Sequence, residues 1–126
     1  MQYSKVLLID DDEDDQELFL QAIKEVAASV ECTTLDDARN ALTQLENRTL
    51  VADVIFLDLN MPTMTGQQFL VELNKKETLN QIPVIILSTS SNSETINQAK
   101  ALGAQSFITK PSDYKELKNI LHRILE

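Results

Sequence analysis

Val6-Leu7-Leu8-Ile9-Asp10-Asp11 is a run of four apolar residues stopped by two acids. A continuous apolar stretch this short, bounded by charge, reads as a strand buried on both faces. The shape returns at Val54-Ile55-Phe56-Leu57-Asp58, and again at Val84 to Ser88 and at Ser106-Phe107-Ile108-Thr109, which Lys110-Pro111 closes. Each run ends in a residue able to do chemistry. If the strands lie side by side and point the same way, Asp10, Asp11, Asp58 and Lys110 meet at one crevice. That arrangement suits a divalent cation and a transferred phosphoryl group.

Between the runs the apolar period changes to that of a helix. Leu18, Phe19, Ala22, Ile23 and Val26 form an inward stripe, leaving Gln16, Glu17, Gln21, Lys24 and Glu25 outside. Val30 to Leu35 fits a second strand, with Asp36 as N-cap of a helix that turns Ala38, Ala41, Leu42 and Leu45 inward. The third strand spans Asp53 to Asp58; after the loop Asn60 to Gly66, a helix buries Phe69, Leu70 and Leu73. Pro83 opens the fourth strand, Val84 to Ser88. The polar loop Thr89-Ser90-Ser91-Asn92-Ser93 then leads, with Ser93 as N-cap and Glu94 in the first turn, into a helix bearing Ile96, Ala99 and Leu102. Gly103 ends that helix in a left-handed conformation. Ser106 to Thr109 is the fifth strand, and Leu117, Ile120, Leu121, Ile124 and Leu125 face inward from a last helix.

Five strands alternating with five helices predict an α/β, doubly wound parallel sheet with right-handed crossovers and helices on both faces. The strand order 2-1-3-4-5, one of the two common orders for such sheets, is adopted by analogy. In these folds ligands collect beyond the carboxyl ends of the strands, where the order reverses. Strands one and three are then neighbours, about 4.8 Å apart, and Asp11 and Asp58 can share one ion.

A length of 126 residues fits one domain over 1–126, with no output domain expected. No apolar stretch approaches the ~20 residues of a spanning helix, and Val6 to Ile9 is too short for a signal-peptide core. A cytoplasmic protein with no membrane partner is expected. Cys32 is the sole cysteine, which leaves no internal disulfide and no cysteine-rich metal site; it reads as a small buried hydrophobe. A net charge of −9 argues against nucleic acid and for a protein partner or a cation. With only Gly66 and Gly103, no phosphate-cradling glycine loop can be assembled, and the lone His122, late in the last helix, reads as a surface residue.

Taken together, the acidic pair Asp10 and Asp11, Asp58 followed by Asn60-Met61-Pro62 and Gly66, the hydroxyl of Ser88, and Lys110-Pro111 resemble the ordered landmarks of response regulator receiver domains of two-component systems. The resemblance covers essentially the whole chain and implies the flavodoxin-like, CheY-like fold. It implies Asp58 as phosphoacceptor and Mg2+ as the cofactor, held by Asp11, Asp58 and the main-chain carbonyl of Asn60, with Asp10 acting one step out, through water. Lys110 and Ser88 would contact the phosphoryl group. Ser88 and Phe107 would form the switch, Phe107 standing where the family commonly has tyrosine. In the family the Lys-Pro bond is often cis.

The acidic run from Asp10 to Asp15 leaves one alternative open. Asp11 is the ligand implied by the resemblance, whereas a slip of one residue gives Asp12. Glu13, Asp14 and Asp15 are accounted for by the dipole of the helix they begin.

The resemblance further implies a stand-alone switch rather than an enzyme, phosphorylated by a sensor histidine kinase or phosphotransfer protein and read by an unspecified downstream protein. Ile82-Pro83, the Thr89 to Ser93 loop and Lys110-Pro111-Ser112-Asp113 resemble single-domain receivers associated with phytochrome-type kinases. Such relatives can pair through the face from strand four to helix five, so a second copy is a candidate partner. Two rivals stand beside this reading. An aspartate-nucleophile phosphohydrolase usually has a second acid two residues after the nucleophile, where this chain has Asn60. A pseudo-receiver, binding without phosphorylation, requires a defect in the landmark residues, which all look intact.

Overall fold

The apolar runs are strands because helices cover both of their faces. In this computed structural model, which describes residues 3–89 and 92–125, the order is β1 (Lys5–Ile9), α1 (Glu13–Val26), β2 (Glu31–Leu35), α2 (Ala38–Glu46), β3 (Val54–Leu57), α3 (Gly66–Asn74), β4 (Val84–Ser88), α4 (Ser93–Ala101), β5 (Ser106–Thr109) and α5 (Tyr114–Leu125). All adjacent strands are parallel, in the order β2-β1-β3-β4-β5. The doubly wound expectation and its strand order both hold.

Successive strand residues point to opposite faces, and this sorts the buried side chains into two cores. Leu7, Ile9, Ile55, Leu57, Val84 and Ile86 face α2, α3 and α4. Val6, Leu8, Val54, Phe56, Ile85 and Leu87 face α1 and α5. Phe19 of α1 meets Phe56 edge-on, with ring centroids 5.1 Å apart, a favoured aromatic geometry. On the same side Glu25 accepts from Tyr114 Oη and Lys118 Nζ, both at 3.0 Å, and so clasps α1 to α5. By contrast α4 places one side chain, Ala99, wholly in the core among its described residues.

Several local expectations shift by a residue. The N-cap of α2 is Asp37, whose carboxylate accepts from Arg39 N at 2.8 Å; Asp36 lies between the end of β2 and that cap. The N-cap of α4 is Asn92, accepting from Thr95 N at 2.9 Å, and Ser93 is already helical. Ser90 and Ser91 lie outside the described residues. Leu18 is 44% exposed because the inward stripe of α1 runs Phe19, Ala22, Ile23 and Leu18 sits a step of ~100° round the helix. Cys32 is half-buried on the edge strand β2, and burial pushes its thiol up to about 12. The Lys110-Pro111 bond is trans, since no cis peptide occurs among the described residues. Gly103, at φ 108°, takes the left-handed conformation expected of it. No described helix is long and apolar enough to cross a membrane.

Candidate functional site

Three backbone bonds past the strand ends bring the chemical side chains together. Asp10 N donates to Leu35 O and Asp58 N to Ile9 O, both at 3.0 Å, while Lys110 N donates to Ser88 O at 2.9 Å. Parallel pairing therefore continues one residue beyond β1, β3 and β5. It sets Asp10, Asp58 and Lys110 at the same edge of the sheet.

Carboxylate oxygens of Asp10, Asp11 and Asp58 all lie within 4.8 Å of one another. Asp10 is 1% and Asp58 6% exposed, whereas Asp11 faces solvent. Both oxygens of Asp10 have protein partners: Oδ1 accepts from Asp12 N and Oδ2 from Lys110 Nζ, each at 2.9 Å. Asp12 is directed elsewhere, capping α1 by accepting from Asp15 N at 3.1 Å. Asp11, and not Asp12, is the one of these two whose carboxylate lies in the cluster with Asp10 and Asp58.

Lys110 lies among three acids. Its Nζ is 2.9 Å from Asp10 Oδ2, 2.7 Å from Asp15 Oδ2 and 3.9 Å from Asp58 Oδ2. Burial would lower the pKa of this amine, but the bonds to Asp15 and Asp10 outweigh it and the net shift is upward. Burial pushes Asp58 up to about 6; Lys110 opposes that shift, and the Asp10 charge adds to it. Asp10 is likewise raised by burial, against the pull of Asp12 N and Lys110. Two carboxyls that resist ionisation beside a lysine gain from a further positive charge. An all-oxygen donor set of this kind fits a hard divalent cation.

The segment after Asp58 is shaped by close packing. Met61 and Met64 are buried, and Asn60 is exposed with its N–H donating weakly to Asp58 Oδ1 at 3.4 Å. Thr63 between them has φ 68°. Thr65 and Gln68 form a capping box at the start of α3, through bonds of 2.9 and 3.2 Å. A Cβ on Gly66 would fall 2.7 Å from both Asp58 O and Leu59 Cα. Only glycine lets α3 begin against the backbone of Asp58.

Ser88 is fully buried at the end of β4, paired in register with Thr109. Phe107 is half-buried, pairs with Ile86 and packs on the α2–α4 core. His122 is exposed. Sequence reasoning alone misses Asp15, since the helix dipole is enough to explain an acid at that position. A signal was present: Asp15 shares a helical face with Phe19 and Ala22, and an acid on a buried stripe needs a partner.

The family model for the response regulator receiver domain matches residues 6–122. The chain belongs to that family. Among solved structures, the phosphorylated cyanobacterial phytochrome response regulator RcpA is 31% identical with a TM-score of 0.88, over 97% of this chain and 91% of that one. The Mn2+-bound form of response regulator Rcp1, a protein of Synechocystis sp., is 27% identical with a TM-score of 0.85, over 96% and 91%. The probable methanogenesis regulatory protein FilR2 of Methanothrix harundinacea is 27% identical, over 96% of this chain and 81% of its own length. Other regulators are spanned less fully: the chain covers 53% of the rice two-component response regulator ORR1. It is thus a CheY-like two-component receiver domain, with relatives among phytochrome-associated regulators.

Proposed function

We infer that this receiver accepts a phosphoryl group on Asp58. The observation that carries the reading is the convergence of Asp11 and Asp58, with oxygens within 4.8 Å, beside a lysine ammonium 3.9 Å from Asp58. An Asp58 carboxylate oxygen attacks phosphorus. The bond from phosphorus to the donor's imidazole nitrogen breaks, and the imidazole leaves with the electron pair. Asp11, Asp58 and the Asn60 carbonyl are the groups that would hold Mg2+, with Asp10 reaching it through water. When bound, the ion neutralises charge building on the phosphoryl oxygens. The Mn2+ form of Rcp1 and the phosphorylated form of RcpA support carrying the ion and the modification over to this chain.

The rest of the work is positioning. Lys110 places a fixed positive charge near the phosphoryl oxygens, and Ser88 offers a hydroxyl at the end of the neighbouring strand. The reading makes the protein a cytoplasmic switch rather than an enzyme acting on free substrates. Its phosphoryl donor is a sensor histidine kinase or phosphotransfer protein. Its output is a changed face around β4, α4, β5 and α5, offered to a downstream protein or to a second copy of the chain, with Ser88 and Phe107 as the moving parts.

Incubation of pure protein with Mg2+ and a small acyl-phosphate donor, read by intact mass, tests this. Wild type gains one phosphoryl group and Asp58→Asn gains none. Unlabelled wild type, or turnover of unrelated phosphate esters, overturns the reading.

A further inference from the structure

The acid on α1 that closes over Lys110 has a role the helix dipole does not account for. An ammonium carries three donors. On Lys110, Asp10 Oδ2 at 2.9 Å and Asp15 Oδ2 at 2.7 Å take two of them. The third neighbour, Asp58 Oδ2 at 3.9 Å, is too far for a hydrogen bond. That spacing suits an oxygen carried one atom further out, on phosphorus attached to Asp58.

The two acids that hold the ammonium differ in kind. The Asp10 side chain is 2% exposed and belongs to the sheet; the Asp15 side chain is 39% exposed and belongs to a helix. Asp15 is itself fixed, because its N–H is the group that the Asp12 cap accepts. A continuous chain of contacts therefore runs from the cap of α1 through Asp15 to Lys110. Glu13 and Asp14, from the same acidic turn, are exposed and form no ion pair among the described residues. A general preference for negative charge at a helix start does not distinguish Asp15 from these two.

We propose that Asp15 is a positioning residue for phosphoryl transfer, holding the Lys110 ammonium so that its remaining donor meets the phosphoryl oxygen on Asp58. The inference rests on Asp58 being the acceptor. With a small acyl-phosphate donor, the bond from an Asp58 oxygen to phosphorus forms, the donor's P–O bond breaks, and its carboxylate leaves with the electrons. Asp15 touches none of these atoms and acts through Lys110.

The test compares Asp15→Asn with Asp14→Asn, which makes the same charge change without touching Lys110. Asp15→Asn should slow labelling by the acyl phosphate roughly tenfold, the scale of one lost charge-assisted bond, and Asp14→Asn by less than about twofold. In a Lys110→Ala background, Asp15→Asn should cause no further slowing, as expected of two residues in one chain of action. A second readout needs neither donor nor metal: the Lys110 side-chain ammonium signal in 15N-detected NMR should be sharp in wild type and in Asp14→Asn, and lost to exchange in Asp15→Asn. Equal slowing by the two asparagine variants, or an undiminished effect without Lys110, overturns the inference while leaving Asp58 as acceptor. Failure of wild type to label at all would strike the acceptor assignment instead, and an Asp15→Asn ammonium signal as sharp as wild type would still refute the positioning role.

Discussion

Gly66 lies against the carbonyl of Asp58 so closely that a methyl group at its Cβ would sit 2.7 Å from that oxygen. The glycine is needed for its lack of a side chain and not for an unusual φ. Gly66→Ala should therefore act as overpacking, with a cost of about 1–3 kcal/mol, and should also disturb the side-chain carboxylate of Asp58. Urea unfolding measures the first effect and acyl-phosphate labelling the second. Unchanged stability together with unchanged labelling would mean that α3 moves aside freely.

Burial raises Asp58 to about 6 from its ordinary 3.8, so the folded protein binds this proton more tightly than the unfolded chain does. The resulting stability is fully present below the unfolded value and is lost as pH rises through about 6; the ionised carboxylate then weighs against the fold by up to about 3 kcal/mol. In chelator, Asp58→Asn should gain stability relative to wild type between about pH 4 and pH 7.5. Melting both proteins across that range gives the difference, and a flat difference would show that Asp58 ionises without penalty.

Because negative charge is gathered at Asp10, Asp11 and Asp58, millimolar Mg2+ should raise the melting temperature of wild type at neutral pH by mass action on the folded state. Asp11→Asn should abolish most of that rise. Asp12→Asn should keep it, because Asp12 serves the cap of α1 and asparagine caps nearly as well as aspartate. Asp12→Ala should lose about 1 kcal/mol of stability through the cap and still respond to the ion. The reverse pattern would move the ligand one residue along the chain.

Cys32, with its thiol pushed up to about 12 by burial, carries almost no thiolate at mildly alkaline pH. Alkylation near pH 8 should be slow in the folded protein and become fast in urea, where the thiol returns to its ordinary range of about 8.5. Equal rates in both conditions would show the sulfur to be open in the fold.

The sheet was legible in the sequence because its central strands β1, β3 and β4 are buried on both faces and appear as unbroken apolar runs, and because these and β5 each end in a polar stop. β4 and β5 have the predicted limits of Val84 to Ser88 and Ser106 to Thr109. Asp10, Asp58 and Lys110 were legible for the same reason, as the stops themselves. Helix starts were harder to place, since Asp36 and Asp37, or Asn92 and Ser93, are equally good caps and only three-dimensional chain direction selects between them. Asp15 was obscured by its neighbours: six acids in a row invite one explanation for all. The pairing with Lys110, 95 residues away, becomes visible only once the first turn of α1 is seen to lie beside the end of β5.

The two sides of the sheet are secured unequally. On one, Glu25 ties α1 to both Tyr114 and Lys118 of α5, over an interlocked Phe19–Phe56 pair. On the other, Ala99 is the one fully buried side chain among the described residues of α4, with Leu102 at its end half-buried on the core. Displacing α4 uncovers little apolar surface, while lifting α1 breaks its charged tie to α5 and its aromatic contact with β3 at once. With α2 and α3 each burying several side chains beside it, α4 is the lightly held helix of its face, and a disturbance at the carboxylate cluster would find its softest outlet there.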